Sequence, residues 1–504
     1  MPPEHTAHPQ EIELKLALPT LDPAGLQKRL ARLPLLARRK ATRRQLHNIY
    51  HDTPARQLQA QRIALRLRRV GSPEQPEWLQ TLKMGGTSDS ALSQRGEWEV
   101  PVPGAALDAQ ALQATPWAGL DKGGRWFSAL VPCFVTQFER CSWLVRKRDG
   151  SVVEVALDIG QISAGERQAP ICELELELLA GRPQALFDVA REIAAALPVL
   201  PLGQSKAERG YALLDDALNQ PLRARPPALQ DAMRLPEAAQ CVLREMFGQF
   251  SANLNRLRHS DEPELVHQAR VGWRRFRSAW RLFRPALAGC AAPSREALRP
   301  LLTFLGELRD LDVARLETLP ALADAYAGDD APRQARWQAM LQSLTDAAQL
   351  QRKSVRYALE VPAVGQALLA ITEWLEALPA LPARTEADAH AKEAEGPPLR
   401  RWARQRTRRL QRKLKRALDA ATDAAGEHCA RIAAKRLRYA IEALRPLLPR
   451  RRARRWHARA SGLQAQIGAA RDLAQASALV SQAHADAALA EFVRGFAAAQ
   501  AGQR

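Results

Sequence analysis

The chain has 504 residues, of which 46% are hydrophobic and 25% charged, and its formal net charge is +20. This length allows two to four domains, and the hydrophobic content excludes a chain that is disordered throughout. The first residues, MPPEHTAHPQ, lack the pattern of a secretion signal, and no apolar run is long enough to span a membrane. The six scattered cysteines form no CxxC pair, which argues against a zinc site or a disulfide framework. We therefore expect a cytoplasmic protein.

The positive charge is concentrated in the C-terminal part of the chain. Residues 1–220 carry 27 basic and 25 acidic side chains, whereas residues 221–504 carry 47 and 29. The N-terminal part therefore balances its own charges, and the C-terminal part is predicted to attract a polyanion.

Short segments that alternate charged and apolar residues dominate the chain from residue 10 to about 178. They lie at 11–18, 61–70, 77–84, 93–102, 135–147, 151–160 and 171–179. Alternation with a period of two is typical of strands with two unlike faces. Helical patches interrupt them near 22–32 and 105–120, and another follows at 183–197. The pattern predicts an α+β domain over residues 8–215 that is built on an antiparallel sheet or barrel.

Charged residues occupy one face of six of these segments. They are Glu11, Glu13 and Lys15; Arg66 and Arg68; Lys83; Arg95, Glu97 and Glu99; Glu154 and Asp158; and Glu173, Glu175 and Glu177. A face open to water would be richer in Ser, Thr and Asn, so we interpret these faces as the charged lumen of a closed barrel or tunnel. Clustered carboxylates suit Mg²⁺ or Mn²⁺, and arginines and lysines suit phosphate oxygens. The lumen is predicted to hold a metal-bridged polyphosphate.

The C-terminal part has helical periodicity and an internal repeat. A Pro-rich hinge at 216–227 precedes it, and the helical domain is predicted over 228–504. HQARVGWRRFR at 267–277 matches HCARIAAKRLR at 428–438, and LGELRD at 305–310 matches IGAARD at 467–472. The two offsets, 161 and 162 residues, agree within one residue. This internal repeat predicts two similar bundles at about 228–378 and 399–500 with a linker at 379–398.

Each repeat begins with a stripe of basic residues at helical spacing. The first stripe consists of His267, Arg270, Arg274, Arg277 and Arg281, and the second begins with His428, Arg431, Lys435 and Arg438. The predicted polyanion-binding residues are His267, Arg270 and Arg274 in the first repeat and His428, Arg431 and Lys435 in the second. A single basic stripe is usually a solvated helix face, but here both repeats carry one. We expect the stripes to line one polyanion-binding groove. The basic run at 400–416 adds positive surface that suits RNA or anionic lipid equally well.

The N-terminal motifs, taken in order, resemble the CYTH family, the triphosphate tunnel metalloenzymes. The resemblance begins with the ExExK signature of Glu11, Glu13 and Lys15 and covers residues 10–213. It continues through YHDT at 50–53, LRLR at 65–68, TLK at 81–83, RGEWE at 95–99, Arg140, Glu154, Asp158, ELELEL at 173–178 and SKAERGY at 205–211. The resemblance implies a barrel that hydrolyses a triphosphate with a divalent metal.

The resemblance also implies roles for individual residues. Glu11 and Glu13, with Glu173 or Glu175, would hold Mg²⁺ or Mn²⁺. Lys15, Lys83 and Arg66 would act in catalysis, and Arg68, Arg95, Arg140 and Lys206 would bind the substrate. Glu97, Glu99, Glu154 and Asp158 would bind a second metal, orient water or neutralise arginines.

The helical part resembles a CHAD domain, and the CYTH–CHAD pairing resembles the bacterial inorganic triphosphatase family. This implies hydrolysis of inorganic triphosphate to diphosphate and phosphate, with polyphosphate or another polyanion bound by the helical domain. One alternative is an adaptor that binds polyphosphate or nucleic acid and has a weak or inactive tunnel. Another is a thiamine triphosphatase or adenylyl cyclase-like enzyme on the same barrel.

Overall fold

The computed structural model describes residues 10–19, 22–23, 25–71, 74–85, 90–287, 290–380, 398–483 and 486–502. The chain divides into two compact units. The first contains the described residues of Met1–Gln220 together with Arg258–Ser260 and Leu359–Glu373, and the second contains those of Pro221–Leu257, Asp261–Ala358 and Trp374–Arg504. Most of the predicted linker at 379–398 lies outside the described residues. The predicted domain boundaries stay predictions.

Eight antiparallel strands of the first unit close into a barrel. They are β1 (Gln10–Ala17), β2 (Thr42–Asp52), β3 (Ile63–Val70), β4 (Glu77–Met84), β5 (Leu92–Val102), β6 (Val131–Arg146), β7 (Val152–Ala164) and β8 (Arg167–Ala180). Their order is β5-β4-β3-β2-β6-β7-β8-β1, and pairing of β1 with β5 closes the barrel. A short strand, β9 (Leu200–Pro201), also pairs with β1. The predicted barrel is confirmed.

One strand, β2, is absent from the sequence prediction. Its first four residues, Thr42–Gln45 in the sequence TRRQ, are all polar and exposed, so they show no alternation. The alternation of buried and partly buried residues begins only at Leu46. A period-two pattern over half of a strand is too short to distinguish it from a loop.

The outer face of the barrel is apolar and covered by helices. The helices of the first unit are α1 (Leu26–Ala31), α2 (Gln57–Ala60), α3 (Trp117–Leu120), α4 (Arg125–Ser128), α5 (Gln184–Ala196) and α6 (Lys206–Leu214). Leu14 and Leu16 of β1 are fully buried in one core with Leu186 and Ile193 of α5. Each buried leucine contributes about 1.5–3 kcal/mol. This burial fixes which face of β1 is outside, and so directs Glu11, Glu13 and Lys15 inward.

The segment Leu359–Glu373 completes the same core from a distant part of the sequence. Leu369 is fully buried among the core residues of the barrel and α5. Gln366 donates a hydrogen bond to the carbonyl oxygen of Ala194 at 3.1 Å. The backbone at Gly365 lies so close to Val199 that a β-carbon there would lie 2.3 Å from the Val199 carbonyl oxygen. Only glycine fits this approach.

Helix α6 begins at the barrel interior. Ser205 caps it by accepting a hydrogen bond from the Glu208 amide at 3.2 Å, and the Glu208 carboxylate accepts one from the Ser205 amide at 2.8 Å. This reciprocal pair is a capping box. It fixes the first helical residue, Lys206, which is buried.

The second unit is built from helices. They are α7 (Leu235–Leu257), α8 (Pro263–Phe283), α9 (Arg299–Val313), α10 (Ala323–Ala327), α11 (Ala331–Leu359), α12 (Pro362–Ala377, shared with the first unit), α13 (Leu399–Asp419), α14 (Ala424–Leu444), α15 (Arg450–Gln482) and α16 (Ala487–Gly502). Helix α7 packs on α8 as α13 packs on α14, and α8 contacts α14. The predicted helical C-terminal part is confirmed.

Within the described residues, no helix combines the length and the apolar character that crossing a membrane requires. All six cysteines lie in this described part of the chain and are free thiols.

Candidate active site and basic cluster

The barrel encloses a cavity of about 320 Å³ to which every one of the eight closing strands contributes. Its charged lining consists of Glu11, Arg44, Arg66, Arg68, Lys83, Arg95, Glu97, Glu99, Arg140, Glu154, Glu175, Glu177 and Lys206. Of the residues predicted to act in the tunnel, Glu13, Lys15, Asp158 and Glu173 are not part of this lining. All four are almost fully buried in the barrel wall.

Glu11 and Glu13 are surrounded by cations. Arg95 lies opposite Glu11 in the β1–β5 pair, and it donates to Glu11 at 2.9 Å and to Glu13 at 2.6 Å. Lys83 lies 2.9 Å from the Glu11 carboxylate, and Lys15 lies 2.9 Å from that of Glu13. Burial alone would lower the pKa of Arg95, but Glu13 and Glu11 raise it above the ordinary value. These ion pairs explain how two glutamates share one strand face.

A second group joins three carboxylates with three bases. Asp158, Glu173 and Glu175 place one carboxylate oxygen each within 4.8 Å of the others. Lys206 donates to all three, at 2.6, 2.5 and 2.8 Å. Arg140 forms ion pairs with Asp158 and Glu175. Arg209, which pairs with Glu173, is the third base. Three negative charges therefore meet three positive ones.

Arg209 lies 2.7 Å from the Glu173 carboxylate and supplies the third cation. Burial favours the neutral form of Glu175, yet Lys206 and Arg140 hold the pKa of this carboxyl well below its usual range. Burial likewise opposes the charge of Lys206, but Asp158 and Glu173 raise its pKa above the usual value. We call Asp158, Glu173 and Glu175 the acid triad. Its geometry suits a cation, but its charge is already balanced.

Acidic charge is in excess at Glu177. This residue lies opposite Glu13 in the β1–β8 pair and opposite Glu154 in the β7–β8 pair. Among the described residues, neither Glu154 nor Glu177 forms an ion pair. The pKa of Glu177 is raised to about 7, first by burial and then by the nearby carboxylates of Glu11 and Glu97. Like charges opposite one another destabilise a sheet, so this row favours a bound cation.

Glu177 lies on the charged face predicted from the sequence, but it is not among the predicted metal ligands. The three glutamates of ELELE are equivalent in the sequence pattern. The strand register and the position of Lys206 distinguish Glu177 from Glu173 and Glu175, because Lys206 donates hydrogen bonds to Glu173 and Glu175.

Positive charge is in excess on the β3 side of the cavity. Arg66 lies 3.4 Å from Glu97, and Arg68 lies 3.4 Å from Glu99 and donates to Asn48 at 2.8 Å. Burial, then the nearby Arg66, lowers the pKa of Arg68 to about 10. Arg44 and Arg140 line the same cavity. One side thus favours an anion and the other a cation, an arrangement that suits a polyphosphate bridged to a metal.

The second unit brings basic residues of both repeats together. Burial, then the nearby Arg431 and Arg274, lowers the pKa of Lys435 to about 8. Burial, then Arg274, also lowers the pKa of Arg270, and Arg471 contributes to the same shift. Helices α8 and α14 contact each other, so these side chains of the two repeats lie near one another. We call Arg270, Arg274, Arg431, Lys435, Arg309 and Arg471 the basic cluster.

Two members of the basic cluster, Arg309 and Arg471, belong to the repeated LGELRD and IGAARD signatures. They are not among the residues predicted to bind the polyanion. Arg309 also lies 2.8 Å from Glu317, with which it pairs. Burial, then Arg309, lowers the pKa of the half-buried His267. Its counterpart His428 is exposed, and no described contact joins it to the cluster. The structure thus brings together five of the six predicted polyanion-binding residues.

Gly306, from the LGELRD signature, makes room for one of these arginines. A β-carbon at this position would lie 2.8 Å from a terminal nitrogen of Arg270. The glycine therefore lets the Arg270 guanidinium lie against the backbone of α9.

Family models identify both parts of the chain. Residues 9–211 match the model of the CYTH domain, and residues 241–481 match that of the CHAD domain. The chain therefore carries a CYTH domain followed by a CHAD domain. It is similar to the inorganic triphosphatase of Haemophilus influenzae, with 36% identity over 218 residues. The match covers 42% of this chain and 58% of that protein, less than two thirds of the relative's length.

Two solved structures are also similar. The CHAD domain from the plant Ricinus communis has 30% identity and a TM-score of 0.47, and the match covers 56% of this chain and 92% of that one. A putative adenylyl cyclase from Hippeastrum, described as having a dominant triphosphatase activity, has 19% identity and a TM-score of 0.28. That match covers 40% of this chain and 95% of the other. At these TM-scores neither similarity bears on function.

Proposed function

We propose that the barrel hydrolyses inorganic triphosphate to diphosphate and phosphate with Mg²⁺ or Mn²⁺. The observation that carries this proposal is the cavity of about 320 Å³, whose lining has an excess of cations on one side and of carboxylates on the other. A phosphate chain is the anion that uses both, because its oxygens accept from arginine and also bind a hard cation. The similarity to an inorganic triphosphatase supports the same substrate class.

The metal ligands we propose are Glu175 and Glu177 of β8 with Glu11 of β1, which all line the cavity. Glu177 contributes uncompensated acidic charge. Glu13 was also expected to be a ligand, but it is buried behind the lining and paired with Arg95 and Lys15. Glu173 was expected to be a ligand as well, but its carboxylate is 1% exposed and paired with Lys206 and Arg209. We assign Glu173 to the structural ion network instead.

The remaining charged residues bind and orient the substrate. Arg66, Arg68 and Lys83 line the cavity, and we propose that they hold the phosphoryl oxygens and stabilise the charge on the transferring group. Water attacks the terminal phosphorus, the bridging P–O bond breaks, and diphosphate leaves. The divalent cation would supply charge neutralisation and polarise a phosphoryl oxygen. Lys15, which pairs with Glu13 behind the lining, acts by holding that carboxylate.

The test is a panel of phosphate-release assays on the full chain. Tripolyphosphate, long-chain polyphosphate, ATP and thiamine triphosphate are compared with Mg²⁺, with Mn²⁺ and with chelator. The proposal expects the highest kcat/KM for tripolyphosphate and no turnover in chelator. Preferential phosphate release from ATP or thiamine triphosphate would assign the barrel to a different triphosphatase. Release of diphosphate from ATP without phosphate would assign it to a cyclase. Absence of turnover on every substrate would favour the adaptor alternative.

We further propose that the basic cluster of the CHAD domain binds polyphosphate. Among the described residues, Arg270, Arg274, Arg431, Lys435 and Arg471 form no ion pair, and the lowered pKa of Lys435 results from burial beside other cations. Unpaired cations held this close to each other are stabilised by an anion. Because charge in polyphosphate is dense and continuous, it suits a compact cluster that combines residues of four helices.

A further inference from the structure

A second basic surface of the helical unit lies on α13 and the first turns of α15. Residues 400–416 contain ten Lys and Arg and no acid, and residues 450–459 contain six Arg and no acid. Ten of its exposed members are Arg401, Arg404, Arg408, Arg412 and Lys415 on α13 and Arg450, Arg451, Arg452, Arg454 and Arg455 on α15. We call these ten residues the arginine face. None of them belongs to the basic cluster or to the barrel cavity.

The arginine face is not neutralised by the protein. Within these two segments, and among the described residues, only Arg400 and His457 form ion pairs, with Asp231 and Glu442. Solvated basic helices usually carry interspersed acids four residues away, which offset their repulsion. Here the ten cations of the arginine face repel one another without that compensation, so an external anion would stabilise the face.

The two helices meet at a shallow cleft with an aromatic wall. Arg404, Thr407 and Arg408 of α13 line one side, and Arg452 and Trp456 of α15 line the other. The Arg452 guanidinium lies 5.9 Å from the centre of the Trp456 ring, and Trp456 is only partly buried. Cations beside an accessible indole match an anionic polymer that also carries planar rings.

The spacing of the cations favours the same ligand. Along α13, Arg401, Arg404, Arg408, Arg412 and Lys415 follow intervals of three and four residues, which place neighbouring side chains about 5–6 Å apart. Nucleic-acid phosphates are separated by a sugar, so they need such a dispersed row. Phosphates of a polyphosphate share bridging oxygens and need denser charge. Insertion into a membrane needs apolar anchors, but no large apolar residue of α13 or α15 is among the exposed ones in the described chain.

We propose that the arginine face binds single-stranded nucleic acid, with its arginines on the phosphates and Trp456 as a stacking platform for a base. Fourteen of the sixteen basic residues in the two segments are arginines, which bind phosphate by two parallel hydrogen bonds and stack on bases. This surface and the basic cluster would thus bind different polymers on one helical unit.

The test measures binding of a labelled, unstructured RNA of about 16 nucleotides to the full chain by fluorescence anisotropy at several salt concentrations. The first variant is Arg404→Gln, Arg408→Gln and Arg452→Gln combined; all three residues are exposed, so the fold is retained. A matched control removes the same charge from exposed arginines of the first unit, Arg29→Gln, Arg32→Gln and Arg38→Gln. Trp456→Leu tests stacking.

We expect the arginine-face variant to weaken RNA binding about tenfold or more and to reduce the slope of log affinity against log salt by about 2, since each single-strand phosphate contact contributes about 0.7. Trp456→Leu should weaken RNA binding and leave polyphosphate binding unchanged.

Equal RNA affinity in the arginine-face variant and its control overturns the proposal. So does loss of RNA binding in Arg274→Gln with Lys435→Gln, which would place RNA at the basic cluster. Anionic vesicle binding that the arginine-face variant loses while RNA binding persists would assign the face to lipid instead.

Discussion

Glu13 and Glu177 lie opposite each other in the β1–β8 pair of the barrel. Glu13 is neutralised by Arg95 and Lys15. Among the described residues, Glu177 forms no ion pair, and Glu154 lies on its other side. The acid excess of the cavity is therefore located at Glu177 of β8 and Glu154 of β7, which both line it. These two residues are distinct from the carboxylates that form structural ion pairs.

The first prediction compares Glu177→Gln with Glu173→Gln. Glu177→Gln should lower Mn²⁺ affinity about tenfold or more and abolish turnover, because an amide is a weaker ligand for a hard cation. Its melting temperature should not fall. Glu173→Gln should instead lower the free energy of unfolding by about 3 kcal/mol, because it leaves Lys206 and Arg209 less well paired in a buried site. Mn²⁺ titration and thermal unfolding of both variants check this.

Arg66→Ala is the matched control for these glutamate variants. It removes a cavity-lining cation that lies 3.4 Å from Glu97, so we expect a higher KM for tripolyphosphate and little change in metal affinity. If Glu173→Gln loses Mn²⁺ affinity as strongly as Glu177→Gln and melts normally, Glu173 is a ligand and our assignment is wrong.

The second prediction concerns the isolated fragment 1–218. It contains the whole lining of the cavity, so it should hydrolyse tripolyphosphate. It lacks Leu369, which is fully buried in the barrel core, so it should lose activity at a lower temperature than the full chain does. Activity measured after graded heating checks both parts. A folded fragment without turnover would contradict the assignment of the active site.

The third prediction tests the same packing within the full chain. Gly365→Ala should lower stability by about 1–3 kcal/mol, because its β-carbon would lie 2.3 Å from a backbone oxygen that has no room to move. Gly462→Ala on α15 is the control, since a β-carbon there meets nothing within 4 Å. Helix propensity should make that variant more stable by about 0.5–1 kcal/mol. Chemical denaturation distinguishes the two; equal effects would contradict the close approach.

The sequence predicted which strand faces point inward but not which charges meet. The alternation in EIELKLAL and ELELE is enough to predict which side chains face the lumen and which face the core. A shift of the strand by one residue would turn every charged side chain towards the core. Partners such as Glu11 and Arg95, 84 residues apart, depend on the closure of β1 on β5. Similarly, the repeat predicted equivalent histidines, yet His267 is half-buried and His428 is exposed, because sequence similarity fixes helix position but not the neighbouring side chains.

The fourth prediction concerns Gly306 and the basic cluster. Gly306→Ala should displace the Arg270 guanidinium, whose nearest nitrogen would lie 2.8 Å from the new β-carbon. Because the arginine side chain is flexible, the melting temperature should change little, whereas polyphosphate affinity should fall severalfold. Arg270→Gln is the comparison, and the double variant should bind no more weakly than Arg270→Gln alone. Additive losses would show that Gly306 acts independently of Arg270.

The last prediction is a pH dependence that originates at Lys435. Its pKa is lowered from 10.5 to about 8 by burial and then by Arg431 and Arg274. Between these values the unfolded chain binds the proton and the folded chain does not, so without ligand this lysine makes stability rise as pH increases from about 8 towards 10.5. Polyphosphate binding has the opposite dependence, because the anion favours the protonated amine. Affinity at the basic cluster should therefore fall between pH 7 and about 9. Lys435→Arg keeps its charge throughout this range, so it should bind polyphosphate equally at both pH values. Lys353→Gln on the exposed face of α11 is the control and should retain the wild-type dependence.

Isothermal titration with long-chain polyphosphate at the two pH values measures this difference. An equal fall in affinity in Lys435→Arg would exclude Lys435 as the titrating group.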